Sequence, residues 1–78
     1  MIKRVVVTPD EHIGATIYGL RNLRNLSVRQ LADKTGLGKS TISKIENGNR
    51  LPSLKALNSI LEALDAELFV MDRRPADD

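Results

Sequence analysis

The chain has 78 residues, a formal net charge of +2, no cysteine and a single histidine. These bounds describe one small domain, exclude disulfides and cysteine-based zinc sites, and leave too few soft ligands for a metal centre. No apolar run approaches the roughly 18–20 residues that span a bilayer. Residues 1–11 carry a basic pair and three valines but no long apolar stretch or small-residue cleavage site. A signal peptide is therefore not expected, the Asn25-Leu26-Ser27 sequon is read as empty, and a cytoplasmic location follows.

The predicted elements follow in order. Residues 2–7, rich in β-branched side chains, read as a short strand. Thr8-Pro9-Asp10-Glu11 has the form of a helix start, with Thr8 as cap and Glu11 as its reciprocal partner. Helix 1 is predicted over 9–25, with Ile13, Ile17 and Leu20 on one face and Leu23 at its edge. Gly14 and Gly19 weaken that helix, and close packing is the expected reason for both. Ser27-x-x-Gln30 is a capping box for a helix over 28–35, which Gly36 ends.

Gly38 is a modest cap for a third helix over 39–46, and Asn47-Gly48-Asn49 stops it. Pro52-Ser53 opens a fourth helix over 53–64 with the stripe Leu54, Leu57, Ile60, Leu61 and Leu64. Residues 67–71 suit a strand better than more helix. Residues 73–78 are expected to be a flexible tail. The chain 1–78 thus reads as one domain.

Residues 28–47 carry the most information. Ala32 is the small residue that lets two helices approach, Gly36 turns the chain, and Leu31, Leu37, Ile42 and Ile45 form the wedge between them. Counted from Val28 as the first of twenty residues, the small fifth, the glycine ninth and the apolar fourth, tenth, fifteenth and eighteenth positions all fall in register. That is the spacing of a helix-turn-helix, whose second helix can enter the major groove of a duplex.

The segment LSVRQLADKTGLGKSTISKIENGNRLPSLKAL closely resembles the Xre/Cro, lambda-repressor-like family. The resemblance implies a mainly α domain of four or five helices, here with short N- and C-terminal strands, that binds double-stranded DNA as a homodimer and regulates transcription. Carried over by position, Lys39, Ser40, Thr41, Ser43 and Lys44 are the implied base-reading residues. Ser27, Arg29, Asn47 and Arg50 are the implied phosphate contacts, with Lys39 open to either role. Many relatives have glutamine where this chain has Val28, which can neither touch phosphate nor brace the third helix as glutamine does. Glu46 is expected to pair with a nearby base rather than meet DNA.

Helix 4 followed by Ala-Glu-Leu-Phe-Val-Met-Asp is similar to HipB-type antitoxin repressors. In those proteins the final strand pairs with its copy across a two-fold axis. Leu68, Phe69, Val70 and Met71 are accordingly the implied dimer interface. The strand's partner is either the other subunit or the chain's own residues 2–7, and a small sheet using both, near the dimer interface, is favoured over an intrachain hairpin. This likeness also raises an antitoxin that represses its own operon and holds a toxin such as a HipA-like kinase. A phage repressor or Cro-like protein is the other alternative.

Charge distribution points the same way. Residues 21–55 hold eight basic residues against Asp33 and Glu46, whereas the rest of the chain holds four against eight acids. A basic centre with acidic flanks suits a polyanion on one face. No phosphate loop, dinucleotide fingerprint or nucleophile–base constellation is present, so neither an enzyme nor a cofactor is expected. His12 is read as a solvated residue, Tyr18 as half-buried and Phe69 as core. One Tyr and one Phe give poor support for single-strand stacking. The reading from another class is a protein-interaction module that has kept the fold without DNA binding.

Overall fold

The computed structural model describes residues 3–5 and 12–68. Strand β1 (Lys3–Val5) is followed by helices α1 (Ile13–Leu23), α2 (Val28–Thr35), α3 (Lys39–Glu46) and α4 (Leu54–Ala63), and then by strand β2 (Ala66–Leu68). The architecture is mainly helical. The expected Thr8 cap, and residues 69–78 with Phe69, Val70, Met71 and the tail, lie outside the described residues.

Helix α1 has its first turn at Ile13. Its cap is His12: the extended backbone of this residue precedes the first turn, and its Nδ1 accepts from the Ala15 amide at 3.2 Å. A ring nitrogen thus does the work usually given to a Ser or Asp oxygen. The helix ends at Leu23, and Asn25, two residues on, takes a left-handed φ of 59°.

The capping box of α2 closes in both directions. Ser27 Oγ accepts from the Gln30 amide at 3.0 Å, and the Ser27 amide donates to Gln30 Oε1 at 2.8 Å. At the other end Gly36 sits at φ 78°, a conformation that costs any other L-residue strain. Thr35 ties this turn together, with Oγ1 donating to the Leu31 carbonyl at 2.9 Å and accepting from the Leu37 amide at 3.2 Å. Ser53 caps α4 through the Ala56 amide at 3.1 Å.

Ile17, Leu31, Ile42, Ile45, Ile60 and Leu64 are fully buried, and all four helices supply this core. Each such side chain contributes about 1.5–3 kcal/mol by leaving water. Helix α3 packs on α1 and α2, and α2 on α4. The α1–α3 approach is close enough that a Cβ on Gly14 would stand 1.8 Å from the Ile45 carbonyl oxygen. Gly19 differs from expectation: nothing lies within 4 Å of a Cβ there. Leu54 also departs from the predicted stripe and is exposed, so the buried side of α4 is Ile60, Leu61 and Leu64 with Leu57 partly covered.

The two strands pair within the chain, and in parallel, with Lys3 opposite Ala66, Arg4 opposite Glu67 and Val5 opposite Leu68. A hairpin is therefore not formed: the strands enclose all four helices in sequence, and the chain returns in the same direction.

Candidate nucleic-acid interface

Helix α3 is held from behind and open in front. Ile42, Ile45 and Glu46 are buried, whereas Lys39, Ser40 and Lys44 are exposed and Thr41 and Ser43 lie half-covered on the flanks. Ser40 and Lys44 are one turn apart, so they share the outermost line of the helix, and exposed Asn47 continues it. Gly38 provides no side-chain cap, which leaves the first amides of α3 without a side-chain acceptor. Such an end offers backbone donors and a partial positive charge to an anion.

The helix ends in a left-handed Gly48 at φ 80°, with the Asn49 amide donating to the Lys44 carbonyl at 2.9 Å. Asn47 and Arg50 stand exposed on either side of this turn. Ser27 and Arg29, at the start of α2, are exposed as well. The Ser27 oxygen is engaged as a cap, yet its hydroxyl proton remains available to an acceptor. Leu68, exposed on β2, is far along the chain from this surface and belongs to the strand pair.

Val28 occupies the glutamine position by packing against the hydrophobic core.

Two of the eight basic residues in the central segment are committed elsewhere. Arg21 is buried and donates from Nε to Glu46 Oε2 at 2.7 Å and from Nη2 to Glu46 Oε1 at 3.1 Å. Its Nη1 donates to the Leu26 carbonyl at 2.8 Å. The hydrogen bond to Glu46 raises the Arg21 pKa, against the opposing effect of burial. Arg24 donates from Nε to the Leu64 carbonyl at 2.8 Å and from Nη2 to the Asp65 carbonyl at 3.3 Å, which ties the end of α1 to the end of α4. Tyr18 is more exposed than expected, with the Arg21 guanidinium carbon 5.3 Å from its ring centre. The cations of the segment that remain for a polyanion are Arg29, Lys34, Lys39, Lys44, Arg50 and Lys55.

Sequence counting missed the internal roles of Arg21, Arg24, Thr35 and His12. Only Glu46 carried a signal, as an acid next to a basic surface. Among the described residues no cluster of three or more His, Asp or Glu side chains suits a metal ion, and no helix is long and apolar enough to cross a membrane.

Comparison with known proteins agrees with this geometry. The helix-turn-helix family model matches residues 17–70. The chain is 34% identical over 64 residues to the HTH-type transcriptional regulator y4dL of Sinorhizobium fredii, covering 82% of this chain and 33% of that protein. It is 40% identical over 55 residues to the HTH-type transcriptional repressor RghR of Bacillus subtilis, covering 69% of this chain and 41% of that protein. The chain thus spans a third to two-fifths of the length of these curated relatives. Among solved structures, the restriction-modification controller protein C.AhdI from Aeromonas hydrophila superposes with a TM-score of 0.68 at 35% identity, over 69% of this chain and 82% of that one. SinR, a master regulator for biofilm formation solved in complex with DNA, gives 0.68 at 34% identity, over 70% and 89%.

Proposed function

This chain belongs to the helix-turn-helix family, in its Xre-like branch, and on that premise we propose that it is a sequence-specific repressor acting as a homodimer on a palindromic operator in the cytoplasm. The observation that carries the reading is the outer side of α3: Lys39, Ser40 and Lys44 stand free above a helix whose inner side is locked by Ile42 and Ile45. Lysine donates to guanine O6 or N7, and a hydroxyl serves either donor or acceptor edges. Thr41 and Ser43 flank that line. Ser27, Arg29, Asn47 and Arg50 then clamp the phosphates on both sides and set the docking register.

Two copies related by a two-fold axis would present two α3 helices about 34 Å apart, one turn of the duplex. The similarity to RghR and SinR supports regulation of transcription, and the small core supports a second subunit. Selection of bound duplexes from a random pool tests the reading. A two-fold symmetric consensus is expected, and enrichment of no sequence would overturn it.

An antitoxin that also binds a toxin is the second reading. Leu68 supports it, because this apolar side chain is 46% exposed on a strand outside the motif. Co-purification of a protein encoded beside it separates the two readings.

A further inference from the structure

The Arg21 guanidinium stands at a junction of three segments. It comes from α1, outside the helix-turn-helix itself. It grips the last residue of α3, Glu46, with two parallel hydrogen bonds, and it holds the Leu26 carbonyl with a third. Leu26 immediately precedes Ser27, the cap of α2, and Glu46 immediately precedes Asn47. One planar group therefore fixes the two chain positions next to Ser27 and Asn47, which lie at opposite ends of the motif. Both partners of the pair are only 8% exposed, and no buried side-chain polar atom among the described residues lacks a hydrogen bond.

Stability alone is a weak reason for such an arrangement. A buried ion pair loses most of its Coulombic gain to desolvation, and apolar residues of similar volume often hold a fold as well or better. Apolar contact is also non-directional. A forked guanidinium–carboxylate pair instead fixes both distance and angle. Base reading needs that kind of precision, since side chains must sit within about 0.5 Å of productive geometry.

We propose that Arg21 is a positioning residue for base reading: through Glu46 and the Leu26 carbonyl it sets α3 and the start of α2 in the relative orientation that lets one duplex engage both. This inference rests on the DNA-reading role of α3 argued above. It goes further by assigning specificity to a buried residue that touches no DNA.

The test compares the unmodified chain with Arg21→Met/Glu46→Leu, which removes the fork but keeps the volume apolar. Arg21→Lys serves as a second variant, because one ammonium keeps the charge yet cannot reproduce the planar fork. Each is measured for thermal unfolding, for affinity to the selected duplex and a scrambled duplex, and for amide exchange at residues 27–30 and 47–49. Unfolding of the double variant is expected to be unchanged or higher. Its preference for the selected duplex is expected to fall at least about tenfold, the scale of one mismatched base pair. Amide exchange at both segments is expected to quicken in both variants.

A double variant that is equally stable, equally selective and unchanged in exchange overturns the proposal. If the unmodified chain itself shows no preference, the base-reading role fails. The positioning claim is then decided by exchange alone: quickening that is confined to the two segments supports it, and exchange that merely follows global stability refutes it.

Discussion

Arg21 and Glu46 lie 25 positions apart in sequence and meet as a buried pair with two bonds of 2.7 and 3.1 Å, joining α1 to the end of α3. Removing one partner alone leaves the other charged and dry. Glu46→Ala is expected to destabilise the fold by about 3 kcal/mol or more, read by urea unfolding. The raised Arg21 pKa adds no pH dependence in the neutral range. Its contribution is complete below the ordinary arginine range and is lost only as pH rises above it.

Gly14 and Gly19 make a paired prediction. A methyl at Gly14 meets the Ile45 carbonyl, which is backbone and cannot turn aside, so Gly14→Ala is expected to cost about 1–3 kcal/mol. A methyl at Gly19 meets open space, so Gly19→Ala is expected to stabilise by about 0.5–1 kcal/mol. Thermal unfolding of the two variants checks both signs.

Ser27 and Ser53 each cap a helix by accepting a backbone amide, that of Gln30 in α2 and that of Ala56 in α4. Substitution of either by alanine is expected to cost about 1 kcal/mol. Only Ser27→Ala is expected also to weaken duplex binding beyond that loss, because its hydroxyl and the amides behind it are proposed to meet phosphate. Equal binding by the two variants, measured where both remain folded, would remove Ser27 from the interface.

Salt dependence separates free cations from engaged ones. Arg50→Ala is expected to reduce the slope of log affinity against log salt by about 0.9, the effect of leaving one phosphate without its protein cation. Arg24→Gln is expected to leave the slope unchanged, since Arg24 is spent on the Leu64 and Asp65 carbonyls. Titrations with one duplex at several salt concentrations give both values.

The fold class was legible because the helix-turn-helix places strong constraints close together. Gly36 and the Ser27–Gln30 box act within a few residues, where sequence spacing and geometry are nearly the same thing. Longer reaches were not legible. The charge of Arg21 and Arg24 was visible, but whether each points at solvent or at another helix depends on packing set many residues away. The cap of α1 was not legible either, because a histidine caps only where its ring reaches an amide, as His12 reaches that of Ala15. The pairing of β1 with β2 was among the alternatives, but its parallel sense depends on how the helices turn the chain between the strands. In the interface, the exposure of Lys39, Ser40 and Lys44 follows from the burial of Ile42 and Ile45, a relation fixed by helical period.

The most direct measurement is the affinity of Lys39→Ala/Ser40→Ala for the selected duplex and for an unrelated one, at fixed salt. Affinity for the selected duplex is expected to fall by at least about tenfold while the unrelated duplex is affected much less. Unchanged affinity for the selected duplex, with only nonspecific binding reduced, would contradict base reading by α3.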